Sequence, residues 1–453
     1  MSVGWNYTSE VVASALGTTY TGEPFQCSSI STDTRTLEVG DLFFALSGEN
    51  FDGNAFAEQA LEKGAVAVVV TQAIVGKPCF VVRDVQGALQ DFAAHHRRQY
   101  SIPVLAITGS CGKTSCKDMI ATLLGSVYSV VKTQGNLNNE IGCPLSILNM
   151  DADTEFLILE MGANHPGEIA RLCEIAQPTE SVITMIGAAH LEGFGNIEDV
   201  AKAKAEIMTG LSPEGCFYVN ADDPRCVAIG EQYAGETLVF GSQGAVLLKQ
   251  CTFDTDGEMV LDIDPIGTLR LPLYAKAHAQ NALLAVAVGL RHSITEFEAP
   301  LREACSATSR FKIKTVAGRE LIDDTYNANP DSMRVAIEAL AQRPTAGQRI
   351  AVLGGMLELG EDAEALHFKT GTLLGKHGIN RALVRGLHAE ATVAGALESG
   401  VAQAEVVESH EEMAQQLATF SKPGDVLLFK GSRGMTMEKV IHALSEHLNR
   451  AEA

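Results

Sequence analysis

One segment combines the residue types that proteins use to hold a triphosphate. The run TGSCGKTS brings Gly109, Gly112, Lys113 and Thr114 together after the apolar stretch VLAI. Glycines let backbone N–H groups approach phosphate oxygens, the lysine reaches the outer phosphates and the threonine hydroxyl ligates Mg²⁺. Ile107 stands where the common pattern has its first glycine, so an ordinary glycine turn with a solvated lysine is the alternative. A helical pattern follows, with apolar residues at Met119, Ile120, Leu123, Leu124 and Val127, and this context favours nucleotide binding.

Two further residues could hold a divalent cation. Glu160 closes the apolar run FLILE, and His190 follows the apolar run SVITMI. A carboxylate at the end of a buried strand loses its hydration unless something pairs with it, and Mg²⁺ prefers oxygen ligands. The residues alone leave two alternatives open: Glu160 could cap the next helix, and His190 could be a loop histidine with ordinary hydrogen bonds.

Helix geometry separates two neighbouring lysines. With Asn196 as the N-cap of a helix over IEDVAKAKAEIMTGL, Lys204 shares the apolar face of Val200 and Ile207. Lys202 lies about 200° from Val200 around the same helix. An ammonium group on an apolar face is readily converted to its neutral amine. Geometry leaves open the alternative that the Lys204 side chain extends along the helix and places its charge in water.

Composition excludes several classes of protein. The chain has 453 residues and a net charge of −22, so we expect more than one core and no binding to nucleic acid. Ten cysteines without CxxC pairs predict reduced thiols and neither disulfides nor a zinc site. The N-terminus does not resemble a signal peptide, and no run reaches the roughly 18 apolar residues of a membrane span. We therefore expect a cytoplasmic protein without membrane insertion.

The elements that must position these residues follow from the rhythm of the sequence. From Val104 onward, the apolar runs VLAIT, FLILE, SVITMI and CFYVN alternate with helical segments, which predicts a doubly wound parallel sheet. Residues 29–70 predict a small α/β module that ends near residue 100, and residues 241–273 alternate like antiparallel strands. A second, smaller doubly wound pattern begins near Arg310.

The unusual polar residues fall at or just after the ends of predicted strands. In open α/β sheets, the ligand crevice lies beyond these carboxyl ends. Several separate motifs therefore predict the same edge of each sheet as the site. The residues concerned are Lys113, Thr114, Glu160, His190, Asp323, Asp324 and Lys430.

The order of these motifs along the chain resembles that of the Mur ligases. The motifs are TGSCGKTS, NLNNEIGCP, EMGANHPGEI, AAHLEGF, AKAKAEI, NADDP, DDTYNANPDSM and KGSRGMTMEKV, preceded by STDTRTLEVGDLFFALSGENFDG. The likeness covers residues 29–440. It implies an α/β fold of three domains: a small uridine-nucleotide-binding domain (1–100), a central P-loop doubly wound sheet with ATPase chemistry (101–309) and a C-terminal Rossmann-like domain (310–453).

The resemblance implies roles for individual residues. For ATP it implies Gly109, Ser110, Cys111, Gly112, Lys113, Thr114 and Ser115, with Asn281 at adenine, Arg310 at the γ-phosphate and Asp324 at the ribose. For Mg²⁺ it implies Thr114, Glu160 and His190, and for catalysis Lys113, His190, Lys204 and Arg310. Lys204 corresponds to a lysine that family members carbamylate, which would replace a buried amine by an anionic group beside the metal.

The implied substrate contacts lie in three groups. The uridine group is Thr32, Arg35, Asp52 and Gly53, and the group nearer the muramoyl part is Asn138, Asn139 and Glu140. The group at the dipeptide end is Tyr326, Asn327 and Asn329. The sequence departs from the family at Gly53-Asn54-Ala55, where GHD is usual, at Ala275-Lys276-Ala277-His278, where GxHN is usual, and at Gly355, where GDM has its aspartate.

The reaction implied by the resemblance joins a carboxylate to an amine. EMGANHPGEI and YNANPDSM are typical of the members that use ATP and Mg²⁺ to add D-alanyl-D-alanine to UDP-N-acetylmuramoyl-tripeptide through an acyl phosphate, in peptidoglycan precursor synthesis. A monomer is expected. Because Arg310 and Asp324 are needed at the phosphate loop, we expect the C-terminal domain to close onto the central one.

Three other interpretations compete with this one. A sister ligase that adds an amino acid, or a glutamate tail to a folate, shares the central motifs but not the N-terminal uridine module or YNANPDSM. A P-loop switch protein would hydrolyse ATP slowly and need no amine. A small-molecule kinase would leave a stable phosphorylated product instead of an acyl phosphate.

Overall fold

A computed structural model describes residues 5–20, 22–48, 51–189, 191–255, 257–307 and 310–452, without the side chains of 450–452. Within these ranges the strands form sheets of two, four, nine and six strands, with helices packed against them. The α/β class predicted from the sequence is confirmed. No helix in the described ranges has the length and apolar character needed to cross a membrane.

The N-terminal unit contains the two smallest sheets. Its four-stranded sheet is parallel, in the order β3-β4-β5-β6. A 3₁₀ turn at Gly53–Phe56 precedes its second helix. The elements are β1 (Tyr7–Thr8), α1 (Ser9–Ala15), β2 (Gln26–Cys27), β3 (Ile30–Ser31), β4 (Leu42–Phe44), α2 (Ala57–Glu62), β5 (Ala67–Val70), β6 (Cys79–Val81) and α3 (Val85–Arg97).

The central unit is built on the nine-stranded sheet. Its first half comprises β7 (Val104–Thr108), α4 (Lys113–Leu124), β8 (Val130–Lys132), α5 (Gly142–Ile147), β9 (Phe156–Glu160), α6 (Glu168–Ala176), β10 (Glu180–Ile183), α7 (Leu191–Phe194) and α8 (Ile197–Ala205). Its second half comprises β11 (Cys216–Asn220), α9 (Pro224–Gly230), β12 (Glu236–Gly241), β13 (Val246–Phe253), β14 (Met259–Asp264), β15 (Gly267–Leu271), α10 (Ala279–Arg291) and α11 (Glu298–Ala307).

The central sheet has a buried parallel part and an antiparallel edge. The sheet runs β15-β14-β13-β12-β11-β10-β7-β9-β8, and β7, β9, β10 and β11 are parallel and fully buried. Buried strands of mainly apolar residues are what a parallel sheet covered on both faces requires. β13, β14 and β15 are antiparallel, as the alternation of residues 241–273 predicted.

The C-terminal unit carries the six-stranded sheet. It runs β16-β17-β21-β18-β19-β20, parallel except for the first pair, which is antiparallel. Its elements are β16 (Lys312–Val316), β17 (Arg319–Asp324), α12 (Pro330–Gln342), β18 (Arg349–Gly354), α13 (Ala363–Lys376), β19 (Arg381–Arg385), α14 (Ala389–Glu398), β20 (Gln403–Val406), α15 (His410–Phe420), β21 (Val426–Lys430) and α16 (Glu438–Glu452).

The hydrophobic cores do not follow the three sequence segments. One core runs without interruption from Trp5 and Phe92 in the N-terminal unit to Leu148 and Phe217 in the central unit. The C-terminal sheet has two cores of its own, one on each face, composed of residues after 310. Packing therefore joins the first two units and leaves the third separate; the proposed domain limits at residues 100 and 309 stay predictions.

Two helices end earlier than their sequence patterns predicted. α4 ends at Leu124, so the prediction that Val127 belongs to its apolar face was wrong; Val127 is 63% exposed. α8 ends at Ala205 and continues as a 3₁₀ turn over Glu206–Met208. Its predicted N-cap is confirmed, because Asn196 accepts hydrogen bonds from the backbone N–H groups of Glu198 and Asp199.

Candidate functional site

The loop between β7 and α4 has the shape of a phosphate-binding loop. Gly109 has φ +143° and Gly112 has φ +87°, a region that glycine enters without steric penalty. A Cβ atom on Gly109 would overlap Thr184 Oγ1, and one on Gly112 would lie 2.9 Å from Asn281 Oδ1. Both glycines are thus required by conformation and by space, and the loop leads directly into the N-terminus of α4.

The lysine and threonine of this loop face a cation from the C-terminal unit. Lys113 Nζ donates to Gly109 O at 2.6 Å, which folds the side chain back over the loop. Arg310 Nη2 donates to Thr114 Oγ1 at 3.2 Å. Burial lowers the pKa of Lys113, while the Glu160 carboxylate acts in the opposite direction. Two cations from different units therefore meet where a triphosphate would extend from the loop.

Glu160 ends β9 as a buried carboxylate, 2% exposed. Its Oε1 accepts a hydrogen bond of 2.9 Å from Asn138 Nδ2. Its Oε2 accepts none from the residues that the structure describes, and the ammonium of Lys117, itself buried, lies 3.7 Å away. A buried carboxylate oxygen without a hydrogen-bond donor is suited to a hard cation. The observed oxygen atoms therefore fit Mg²⁺ at Glu160, which lines the same cleft as Thr114.

Lys204 is buried on α8, as its helical position predicted. Its side chain is 2% exposed together with Val200 and Ile207 at 0%, whereas the side chain of Lys202 is 78% exposed and pairs with Asp199 at 2.7 Å. Burial lowers the pKa of Lys204 to about 7, with a smaller contribution from nearby Lys113. The alternative that Lys204 places its charge in water is wrong.

The predicted ligand His190 lies outside the described residues. The segment before it is described, from Thr184, which follows β10, to Ala189. Ser110 links this segment to the phosphate loop, because Ser110 Oγ accepts from Gly187 N at 2.9 Å and donates to Gly187 O at 3.0 Å. The metal role of His190 stays a prediction.

The C-terminal unit contributes a second row of polar residues. The Arg310 guanidinium stacks on the Tyr326 ring, 3.3 Å from its centroid. Asp324, at the end of β17, pairs at 2.5 Å with Lys430, which is 2% exposed at the end of the neighbouring β21. Lys430 Nζ also donates to Asn327 O at 2.9 Å. Paired strand ends thus explain why these residues meet.

Asn281 and Asn329 use their side chains to join segments. Asn281 Oδ1 accepts from Cys116 Sγ at 3.2 Å, which fixes the amide beside Gly112. Asn329 is the N-cap of α12, and its Nδ2 donates to Ser110 O at 3.2 Å. The predicted adenine role of Asn281 and dipeptide role of Asn329 stay predictions.

The predicted uridine residues form a separate group on the N-terminal unit. Arg35 is exposed and pairs with Asp33 at 2.6 Å, and Thr32 precedes that pair in the chain. Asp52 caps the 3₁₀ turn that Gly53 begins, and its Oδ1 accepts from Asn54 Nδ2 at 2.7 Å. Asn54 also bridges to Thr71, so the residue that departs from the family pattern holds this loop together.

The predicted muramoyl residues divide between two tasks. Asn138 contacts Glu160, as described above. Asn139 Oδ1 accepts from Gly142 N at 2.8 Å at the start of α5, and Glu140 Oε2 accepts from Gln86 Nε2 at 3.0 Å. Glu140 therefore holds α3 against the central unit.

A cleft of about 1050 Å³ between the central and C-terminal units gathers most of the predicted site. The uridine residues, Gly109 and Glu140 do not line it. A ligand that contacts both places would therefore have to extend beyond this cleft. The predicted residues that line the cleft are Ser110, Cys111, Gly112, Lys113, Thr114, Ser115, Asn138, Asn139, Glu160, Lys204, Asn281, Arg310, Asp324, Tyr326, Asn327 and Asn329.

Comparison with known proteins decides the family. Residues 26–97, 107–289 and 309–433 match, respectively, the models "Mur ligase family, catalytic domain", "Mur ligase middle domain" and "Mur ligase, glutamate ligase domain". The chain is 35% identical over 434 residues to the UDP-N-acetylmuramoyl-tripeptide–D-alanyl-D-alanine ligase of Bacillus subtilis, covering 92% of this chain and 93% of that protein. The chain belongs to the Mur ligase family.

Solved structures give the same result. A crystal structure of MurF from Acinetobacter baumannii superposes with a TM-score of 0.91 at 30% identity, over 98% of this chain and 100% of that one. MurF ligase from Thermotoga maritima in complex with ADP superposes with a TM-score of 0.84 at 32% identity, over 93% of this chain and 98% of that one. The Mur ligase fold predicted from the motifs is confirmed, and the protein is an enzyme that forms a carbon–nitrogen bond.

Three polar residues of this Mur ligase were missed as site residues by sequence reasoning. Lys117 is buried beside Glu160, and its spacing to Ile120 and Leu124 on the buried face of α4 is the same signal that singled out Lys204. Lys430 was noticed only as a strand end. Asp331 accepts a hydrogen bond from the backbone N–H of Ala188, and it was missed because a partner so distant in sequence does not affect local spacing.

Proposed function

We propose that this Mur ligase joins the terminal carboxylate of UDP-N-acetylmuramoyl-tripeptide to the amine of D-alanyl-D-alanine and uses ATP to activate the carboxylate. The observation that carries the proposal is the meeting of Lys113 and Arg310, on two different units, over the phosphate loop at Thr114. Opposed cations stabilise the charge that spreads over a transferring phosphoryl group. The relatives named for this reaction and the ADP-bound MurF support the choice of substrates.

The chemistry follows from the poor reactivity of a carboxylate towards amines. A carboxylate oxygen attacks the γ-phosphorus of ATP, the bond to the β-phosphate oxygen breaks, and an acyl phosphate and ADP form. The dipeptide amine then attacks the acyl carbon, loses a proton, and inorganic phosphate leaves. Lys113 and Arg310 hold the phosphoryl oxygens during the first step, and Asn281 and Asp324 orient the adenosine.

Thr114 and Glu160 fit a Mg²⁺ ion, with His190 as a further candidate ligand. When bound, Mg²⁺ neutralises phosphate charge. The hydrogen bond from Asn138 fixes Glu160 so that its second carboxylate oxygen is left for the ion. Lys204 supports a carbamate, because an amine with a pKa of about 7 is partly neutral at neutral pH and can add CO₂. The enzyme acts in the cytoplasm and as a monomer.

The uridine residues of the N-terminal unit complete the proposal. They lie outside the cleft, so the nucleotide head of the substrate would bind there while its peptide carboxylate reaches into the cleft. Arg35 offers a cation and Asp52 and Gly53 a capped turn at this place. The muramoyl part would then pass Asn138 and Asn139 on its way to the phosphate loop.

The test measures ADP and amide formation with UDP-N-acetylmuramoyl-tripeptide and a panel of amines. We expect one ADP for each amide bond with D-alanyl-D-alanine, and an acyl hydroxamate when hydroxylamine replaces the amine. Amide formation with single amino acids instead, or with folate and glutamate, would replace the substrates by those of a sister ligase. ADP release that is indifferent to any amine would indicate a switch protein, and a stable phosphorylated product would indicate a kinase.

A further inference from the structure

Two side chains at the N-terminus of α12 contact main-chain atoms of the central unit. Asp331, in the first turn of this helix, accepts a hydrogen bond of 3.1 Å at Oδ2 from the backbone N–H of Ala188. Two residues earlier, Asn329 Nδ2 donates to the carbonyl of Ser110 in the phosphate loop at 3.2 Å. The helix therefore contacts the phosphate loop and the segment before His190 at the same time.

The central unit is shaped to receive the Asp331 carboxylate. A Cβ atom on Gly187 would overlap Asp331 Oδ2, so this approach requires glycine at position 187. Ser110 binds Gly187 through two reciprocal hydrogen bonds, and Ser110 N donates to Met185 O at 2.9 Å. Asp331 thus docks on a segment that is rigidly connected to the phosphate loop.

The capping box of α12 does not involve the Asp331 side chain. The helix N-terminus already has a complete capping box, in which Asn329 Oδ1 accepts from Ser332 N at 2.8 Å and Ser332 Oγ accepts from Asn329 N at 2.9 Å. Asp331 directs its carboxylate to Ala188, on the other unit. A carboxylate that accepts from a backbone N–H forms a charge-assisted bond, stronger than a neutral one.

We propose that Asp331 is a positioning residue that holds the C-terminal unit closed on the phosphate loop while the acyl phosphate exists. This inference rests on the proposed function, because only a water-sensitive intermediate requires the closed cleft. With the carboxylate in place, Arg310 keeps its hydrogen bond to Thr114 and its stacking on Tyr326. Without it, water enters and attacks the acyl carbon; phosphate leaves, the carboxylate is regenerated, and one ATP is spent without an amide bond.

Hydrogen exchange in the full-length protein tests the contact without any turnover. The Ala188 amide donates to Asp331. Asp331→Ala should therefore raise the exchange rate of this amide about tenfold, as expected for the loss of one hydrogen bond to a charged group. The rate is followed in a peptide that covers residues 184–189. Asp331→Asn keeps an acceptor oxygen and should restore much of the protection. Glu338→Gln, on the same helix but paired with Arg334 within it, should exchange like the wild type.

Coupling between ATP use and amide formation tests the consequence. In Asp331→Ala, the ratio of ADP released to amide formed should rise several-fold above one, while the KM for ATP changes little because the phosphate loop is intact. Asp331→Asn should recover most of the coupling. Unchanged exchange and unchanged coupling in a folded Asp331→Ala protein would overturn the proposal. A wild type that forms no amide would refute the proposed function and leave the exchange result standing.

A steric variant gives the same test from the other side of the cleft. Gly187→Ala should push Asp331 away and reproduce the loss of coupling, and combining it with Asp331→Ala should add little, since the clash is already removed. Effects that simply multiply in the double variant would show that the two residues act independently and would overturn the proposal, even if Asp331→Ala alone folds poorly.

Discussion

The N-terminal and C-terminal units are attached to the central unit in opposite ways. α3 and the segment before it share a hydrophobic core with the central sheet, and buried side chains bind main-chain carbonyls across the junction: Trp5 Nε1 to Leu148 O at 2.9 Å, and Arg97 Nε to Ala176 O at 2.8 Å. The hydrophobic cores of the C-terminal unit contain only its own residues, and the unit contacts the phosphate loop through polar groups such as Arg310 and Asn329.

The difference shows which part of the enzyme can move. Separating a shared apolar core exposes its surface to water, at a cost proportional to the area uncovered. Separating polar contacts across a cleft exchanges them for hydrogen bonds to water, at a cost of about 1 kcal/mol each. We therefore expect the N-terminal and central units to form one body and the C-terminal unit to open and close over it, delivering Arg310 to the nucleotide.

The largest effect should come from a substitution in the central unit. Lys113→Ala should lower kcat by about 10³-fold or more, because it removes the ammonium that the phosphate loop supplies to the transferring group. Steady-state ADP release measures this. Lys202→Ala removes an exposed ammonium and should leave the rate unchanged. Near-normal turnover of Lys113→Ala would contradict the assignment of the loop.

A substitution in the C-terminal unit, which we expect to move, should affect turnover and not nucleotide binding. Arg310→Ala should lower kcat by about 10²- to 10³-fold, since its guanidinium stabilises charge that develops during phosphoryl transfer. Binding of a non-hydrolysable ATP analogue, measured by calorimetry, should weaken much less, because the phosphate loop belongs to the other unit. Equal losses in affinity and in kcat would place Arg310 permanently at the nucleotide and contradict a mobile unit.

The shared core predicts how the protein unfolds. Trp5→Ala should destabilise the N-terminal and central units together by about 3–5 kcal/mol, the usual loss for a large buried aromatic side chain. Scanning calorimetry should then show one transition shifted to lower temperature and a second, from the C-terminal unit, unchanged. Two independent shifts within residues 5–307, or a shift of the C-terminal transition, would contradict the shared core.

The smallest expected change is in the pH dependence of CO₂ uptake by Lys204. Its amine has a pKa of about 7 because burial disfavours the ammonium, so it is mostly charged below this value and mostly neutral above it. Uptake of ¹³CO₂, followed by NMR, should therefore rise up to about tenfold from about pH 6 to about pH 8. Lys204→Ala should lose the signal and lose activity, with partial recovery on adding short carboxylates. Full activity without rescue would remove this role.

The sequence alone was sufficient to predict the features that depend on the local spacing of residues. Runs of buried apolar residues identified β7, β9, β10 and β11, and helical spacing placed Lys204 inside while leaving Lys202 outside. Family resemblance, and not spacing, suggested Arg310 and Asn281. Contacts between segments that are distant in sequence could not be predicted. The hydrogen bond between Asp331 and Ala188 and the shared core around Trp5 are examples, because both depend on how whole units pack.

The transfer of an oxygen atom tests the central claim, that the cleft activates a carboxylate by phosphorylation. The terminal carboxylate of UDP-N-acetylmuramoyl-tripeptide is labelled with ¹⁸O, the reaction is run with ATP and D-alanyl-D-alanine, and the inorganic phosphate is analysed by mass spectrometry. If the carboxylate attacks the γ-phosphorus, each phosphate released should carry one ¹⁸O atom. Phosphate free of label, formed together with the amide product, would contradict the account.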